Sequence, residues 1–483
     1  MAETISKTKI RLSENQRSQS VNGAPGNANY TGPLVVVIIL FFMWGFIACL
    51  NDILIPKFQE VFQLQNWQAM LIQTAFFGAY FIVSVAYFII SVTKGDPITR
   101  IGYKNGIIFG LVLAAIGCLG FFPAAQYHSY FLFLLSLFVL ASGTAILQIT
   151  ANPYVSILGS PESSSSRMNL AQALNSLGTT IAPIVGGYLI FETANPDVST
   201  ADSVKLPYLM LAAALLLIAV LIKAARLPRL TGEKNFIVSG KGALQFRHLV
   251  LGVICIFLYV GGEVTIGSNI INFLRSPDIA GFEEAESKHY LAFFWGGAMV
   301  GRFFGAVALA QFNSNWYKYA IMIIISAITF ITVYGIYGVD QAVIIIGLVA
   351  LNFVVLLLGR FIPNRTVGMY AGAIIILLLL GTFSQGHLAM WSIIAIGLFN
   401  SIMFPTIFDL AIKGLGPYTS QGSSLLVMAI VGGAIIPPLQ GLFADLTGSV
   451  QLSFLVPLIC YVYILFYGFI GYKPKVTAAV PAK

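Results

Sequence analysis

Charge is what this sequence lacks. Of its 483 residues only 9% are Asp, Glu, Lys or Arg, while 58% are hydrophobic and the mean hydropathy is +0.87. Soluble globular chains carry about 25% charged residues. A water-exposed surface for 52 kDa cannot be built from this inventory. A disordered chain is excluded for the same reason, because it would be polar and charged. What remains is a membrane protein with many spans. Cysteine is scarce too. Cys49, Cys118, Cys255 and Cys460 each stand alone in an apolar run with no CxxC pair, which argues against a disulfide framework or zinc site and for small buried apolar residues. His128, His248, His289 and His387 sit near loops or span ends with no metal spacing, and there is no HExxH, Walker loop or His/Asp cluster. The expectation is a protein that is not an enzyme, with no catalytic residues, metal or cofactor. The net charge of +8 does not mark a nucleic-acid binder, because the basic residues are scattered singly.

What is present is a series of apolar runs. A helix needs about 20 apolar residues to cross the hydrocarbon. Six runs fall at 33–56, 67–92, 105–124, 129–158, 168–191 and 206–226, and eight more at 248–274, 289–312, 317–338, 341–361, 367–385, 388–412, 423–447 and 450–472. The expected organisation is a polar cytoplasmic tail (1–32), an N-terminal six-helix bundle (33–226), a cytoplasmic linker (227–247), a C-terminal bundle (248–472) and a short cytoplasmic tail (473–483). No cleavage signal precedes the first run, which reads as a retained span. With the N-terminus inside, 22 of the 26 basic residues fall in inside segments and 4 outside. That asymmetry supports about 14 spans with both termini cytoplasmic.

Few acids lie within the runs, and each is a functional candidate because a carboxylate in the bilayer is costly unless paired, protonated or wetted. Asp52, Glu263 and Asp409 are the three. Asp409 precedes Lys413 by one turn and reads as an interfacial ion pair. Helix-breaking residues recur at matched places in the two halves: Asn152-Pro153 and Ala182-Pro183 in the first, Phe404-Pro405 and Pro437-Pro438 in the second. Such interruptions point to a transporter whose site lies between repeats. The loop from Gly95 to Lys104, with Arg100 and Gly102, and the counterpart segment Gly301-Arg302, read as a gating loop pair.

Several stretches together resemble one family: Asn51-Asp52-Ile53-Leu54-Ile55-Pro56, Ala151-Asn152-Pro153-Tyr154, Asn169-Leu170-Ala171-Gln172, Tyr259-Val260-Gly261-Gly262-Glu263 and Phe404-Pro405-Thr406-Ile407-Phe408. The chain resembles the fucose/glucose-galactose hexose:proton symporters of the major facilitator superfamily. The bacterial glucose/galactose members are most similar, through Phe41-Phe42-Met43-Trp44-Gly45 and Gly397-Leu398-Phe399-Asn400. The resemblance implies an all-α two-bundle fold of 6+6 helices, alternating access and sugar uptake across the bacterial inner membrane. Two departures stand out. An insertion at about 317–361 supplies two extra helices, expected to pack outside the second bundle. Gln148 occupies the place of a glutamate in the fucose permeases, while Glu263 stands where those permeases carry glutamine, so the carboxylate has changed bundle.

The roles expected are these. Asp52 and Glu263 couple transport to a cation, a proton or alternatively sodium. Asn51, Gln148, Gln172, Asn175, Asn269 and Asn272 offer the amide donors and acceptors that a polyhydroxylated sugar needs. Trp44 and Trp295 offer ring faces to a pyranose. The expected partners are a monosaccharide (glucose, galactose or N-acetylglucosamine) and the lipid bilayer, with no nucleic acid and no obligatory protein partner. The alternative on the same fold is an exporter or antiporter of a drug or metabolite.

Overall fold

The computed structural model describes residues 31–63, 71–187, 204–225, 227, 242–312 and 314–474. All regular structure among them is helical, as a chain without water around it requires: in hydrocarbon the backbone N–H and C=O groups must be satisfied within the segment. The first half contains α1 (Thr31–Val61), α2 (Leu71–Thr93), the short α3 (Pro97–Ile101), α4 (Tyr103–Gln126), α5 (Tyr130–Ile157), α6 (Ser164–Gly187) and α7 (Lys205–Ala224). The second half contains α8 (Arg247–Arg275), α9 (Glu284–Ala308), α10 (Asn315–Tyr337), α11 (Val339–Leu358), α12 (Pro363–Phe383), α13 (Gly386–Asn400), α14 (Met403–Ile412), α15 (Thr419–Met428), α16 (Gly432–Thr447) and α17 (Leu455–Phe466).

Twelve helical stretches among the described residues are long and apolar enough to cross a membrane, against the fourteen expected. Two other long helices, α1 and α6, are not among the twelve. In α1 the apolar stretch Gly32–Ile47 is the part whose residues are fully described. The α6 sequence is crowded with Ser, Thr, Asn and Gln, which turn out to face a polar cavity rather than lipid.

Helices pack mainly within their own half. In the first, α4 lies on α5 and α7, α2 on α5, and α1 on α6; in the second, α9 lies on α13, α8 on α16 and α17, and α12 on α13 and α17. The halves meet through α6 against α9 and α14, and through α15 against α2 and α5. The inserted region forms α10 and α11, paired with each other, with α10 on α9 and α11 on α12. Only 6% of the apolar window of α10 is buried, against 100% for Gly386–Ile412, so the insertion lines the outside. Its anchor is Asn352 of α11, a buried amide whose Oδ1 accepts from Tyr370 Oη at 3.0 Å. Lys318 Nζ of α10 donates to the Ala308 carbonyl at 2.8 Å and lies over the Phe361 ring.

Tight helix pairs in each half rest on glycine. A Cβ on Gly178 of α6 would strike the Phe42 carbonyl of α1, and one on Gly432 of α16 would strike the Phe257 carbonyl of α8. Small residues let membrane helices approach closely, where packing rather than hydrophobicity drives association. Gly178→Ala should therefore lower the midpoint of thermal unfolding in detergent, at an overpacking cost of about 1–3 kcal/mol. Gly347→Ala, with nothing near its Cβ position, should leave the midpoint unchanged.

Candidate functional site: a polar cavity between the halves

A cavity of about 590 Å³ lies between the two halves, lined from the first by Trp44, Tyr80, Gln148, Gln172, Asn175, Ser176 and Thr179 and from the second by Glu263, Trp295 and Arg302. Its volume is that of small-molecule sites, roughly 300–1,000 Å³. The polar wall comes from helical spacing: Gln172, Asn175, Ser176 and Thr179 stand at i, i+3, i+4 and i+7 on α6 and share one face. On α5, Gln148 Nε2 donates to Tyr80 Oη at 3.1 Å. Gln148 Oε1, Gln172 Nε2 and Glu263 Oε1 have no hydrogen-bond partner among the described residues. Leaving such a group unpaired costs about 1–3 kcal/mol.

Arg302 spans the cavity floor. Its Nη1 donates to Ser176 Oγ of the first half, and its Nε donates to the Ser401 carbonyl of the second at 3.2 Å. Its Nη2 lies 3.9 Å from Glu263 Oε1, each side chain being 12% exposed. That is an ion pair without a hydrogen bond, and the one recorded among the described residues. Its placement corrects the reading of Arg302 as a loop residue. Arg302 lies within α9, and a basic residue inside the apolar run 289–312 was the signal that it needed a partner inside the protein.

The structure thus gathers Trp44, Gln148, Gln172, Asn175, Glu263, Trp295 and Arg302 around one space. Asn175 Nδ2 also donates to the Phe41 carbonyl at 3.0 Å, tying α6 to α1. Asn269 and Asn272 do not belong to this cavity. Asn269 Nδ2 donates to Gln440 Oε1 at 2.7 Å, and Gln440 Nε2 passes the chain on to Ser453 Oγ at 2.9 Å; the carbonyl of Asn272 accepts from Ser276 Oγ. Asn269 and Asn272 stand at i, i+3 on α8, where Asn269 faces α16 and Asn272 is exposed. The side chains of Asn51 and Asp52 lie outside the described residues. Tyr80 and Ser176 were missed: a lone tyrosine or serine in a span carries no distinguishing pattern.

One end of the molecule is closed by two buried aspartates, each bonded across the halves to serine. Asp96 caps α3, its Oδ1 accepting from Ile98 N at 2.9 Å and from Tyr87 Oη at 2.5 Å, while its Oδ2 accepts from Ser420 Oγ of α15. Gly95 and Gly102, at φ of +86° and +81°, set the turns on either side. Arg100 donates to the Lys94 carbonyl, and Lys104 Nζ donates to the Lys223 and Ala225 carbonyls at 2.8 Å each, holding the end of α7. Asp409 of α14 takes the reciprocal role. Its Oδ1 accepts from Ser156 Oγ at 2.5 Å and from Ser164 Oγ, and its Oδ2 accepts from Ser165 Oγ at 2.5 Å. The expected Asp409–Lys413 ion pair is replaced by this contact, because α14 turns Asp409 toward the other half. Arg167 stiffens the serine turn, donating to the Val155, Ser156 and Ser160 carbonyls and to Ser163 Oγ.

A cavity between two packed helical halves, sealed at one end by contacts that link those halves, defines a multi-pass membrane transporter. The comparisons agree. Residues 34–436 match the Major Facilitator Superfamily. The chain is 47% identical over 449 residues to the glucose/galactose transporter of Brucella abortus (strain 2308), covering 92% of this chain and 95% of that one. It is 32% identical to the L-fucose-proton symporter of Escherichia coli (strain K12), covering 91% and 93%. The crystal structure of the E. coli fucose:proton symporter superposes with a TM-score of 0.73 at 30% identity, covering 91% of this chain and 98% of that one. The chain belongs to the major facilitator superfamily, in the family of these glucose/galactose and fucose permeases.

Removing the Asp409 carboxylate takes a charged acceptor from three serines, of which Ser156 and Ser164 still bond each other and Ser165 does not, and hydrogen bonds to a charged group are worth about 1.5–3 kcal/mol each. Asp409→Ala should speed hydrogen–deuterium exchange of residues 156–166 by at least tenfold, read by mass spectrometry, with residues 386–400 unchanged.

Proposed function

We propose that this protein takes up a monosaccharide across the bacterial inner membrane by symport with a proton, through alternating access. The substrate is a hexose of the glucose/galactose type, with N-acetylglucosamine as the other candidate. The observation that carries the reading is the central cavity: three orphaned polar atoms on Gln148, Gln172 and Glu263 stand beside two tryptophan rings. Amides and a carboxylate suit sugar hydroxyls, and indole faces suit the apolar side of a pyranose. The relatives named for glucose/galactose transport and L-fucose-proton symport support the same substrate class and coupling ion.

The mechanism follows from the Arg302 contacts. With Glu263 ionised, Arg302 is shared among Glu263, Ser401 and Ser176, the last on the opposite half. A proton on Glu263 removes its charge and weakens its hold on the guanidinium, which ties the charge state to the contact between halves. Sugar hydroxyls compete for the same carboxylate and for the amides of α6. Asp52 is the second proposed proton site, and Asn51 a further sugar ligand. The end closed by Asp96 and Asp409 is assigned to the cytoplasm, where the surrounding Arg100, Lys104 and Arg167 follow the positive-inside bias. Two bundles, 33–226 and 248–472, joined by the linker 227–247, then move against each other, and α10 and α11 complete fourteen spans with both termini cytoplasmic.

The test is uptake into proteoliposomes under an imposed pH gradient with labelled glucose, galactose, fucose and N-acetylglucosamine. Accumulation of at least one sugar that collapses with a protonophore is expected. Glu263→Gln should lose accumulation at least tenfold while keeping sugar exchange at equal pH; no sugar accumulating under any ion gradient overturns the proposal. Topology is checked separately. A cysteine replacing Asp340 should react with a membrane-impermeant maleimide added outside intact cells, and protection there would refute the fourteen-span arrangement.

A further inference from the structure

A second cavity, of about 290 Å³, lies between the inserted pair and the second bundle, walled by Phe293 and Met299 of α9, Val333 of α10, Leu348 of α11 and Leu398 of α13. Its wall is mostly apolar, with Thr180, Thr329, Thr332 and Tyr337 as the hydroxyl-bearing residues. Thr329 Oγ1 donates to its own Ile325 carbonyl and Thr180 Oγ1 to its own Ser176 carbonyl, each at 2.8 Å, so these two hydroxyls are committed to their own helices. The cavity is a product of the insertion, because α10 and α11 form one whole side of it. It also adjoins the polar cavity: Thr180, Ala292 and Gly296 line both. At the junction, nothing beyond its own helix lies within 4 Å of the Cβ position of Gly296, so a side chain's worth of space is open there.

We propose that this side cavity is an apolar annex of the substrate site, which takes the alkyl or acyl substituent of a hexose whose ring occupies the polar cavity. Continuity with the polar cavity argues for this occupant. A substituent on a bound ring can reach the annex past Gly296, and the annex offers it mainly apolar contact. Trp295 lines the polar cavity beside Gly296. The ligand class is thus a hexose carrying a short apolar group, bound more tightly than the free sugar. The inference rests on the sugar reading above and sharpens its substrate class.

The experiment is inhibition of labelled glucose and galactose uptake in proteoliposomes by methyl, ethyl, butyl and pentyl β-D-glucosides and β-D-galactosides. Burial of a methylene is worth up to about a fourfold gain in affinity, so the inhibition constant of the matching series should fall roughly two- to fourfold per carbon. Val333→Trp and Leu348→Trp, on two different helices and touching only the annex, should flatten that slope while the KM of the free hexose stays within twofold. Leu348→Ala, which enlarges the annex without crowding it, should extend the gain to longer chains. Inhibition independent of chain length in the wild type overturns the inference. So does a slope identical in the wild type and all folded variants, which would mean that the chains partition into the bilayer instead. Failure of either free hexose to accumulate at all would instead count against the sugar reading, so the two failures are separable.

Discussion

A guanidinium in the middle of a membrane protein must be held by the protein itself, and Arg302 organises this molecule around that requirement. Charges at that depth cost at least a few kcal/mol unless paired. Arg302 meets the demand with one partner from each half and one carboxylate, Ser401, Ser176 and Glu263. It therefore lies where the halves touch and where the polar cavity has its floor. Glu263 Oε1 lies 3.9 Å from Nη2, beyond hydrogen-bond reach, and has no other partner among the described residues. The cavity lining, the ion pair and the contact between halves thus share one group of atoms.

The closed end uses a different chemistry for the same purpose. Asp96 and Asp409 come from opposite halves, and each finds hydroxyl donors on the other. Neither contact pairs opposite charges across the halves. Hydroxyl–carboxylate bonds are short-range and directional, so they hold a closed arrangement firmly and lose their value once the halves separate by an ångström or two. Such contacts suit an interface that has to open repeatedly. Arg167 and Lys104 work inside the first half, tying backbone carbonyls so that the serines and the α3 turn are already in place when the halves meet.

The helices α10 and α11 lie at the periphery of the second half. α10 is almost wholly exposed on its outer side, and α11 is fixed by one buried amide, Asn352. Because the insertion is a pair, the chain re-enters the second bundle with its direction preserved. Between the pair and α9 and α13 lies the apolar space beside the polar cavity.

Much of this was legible in the residues. Scarcity of charge dictated a membrane protein, and apolar run lengths dictated helices. The α6 face of Gln172, Asn175 and Thr179 could be read from spacing alone, since a helix puts i, i+3 and i+7 side by side. The same spacing misled at Asn269 and Asn272, because periodicity says which residues share a face and not what that face meets. Arg302 was taken for a loop residue and Asp409 for half of a local ion pair. Their true partners lie more than a hundred residues away in sequence, and only the packing of α6 against α9 and α14 brings them within reach. The sequence by itself determined the solvent the protein lives in, its helical elements and the polar side chains available. The tertiary structure decided which of those side chains share a cavity, which seal it and which belong to neither, because helix–helix contacts in a membrane are set by the shapes of distant surfaces.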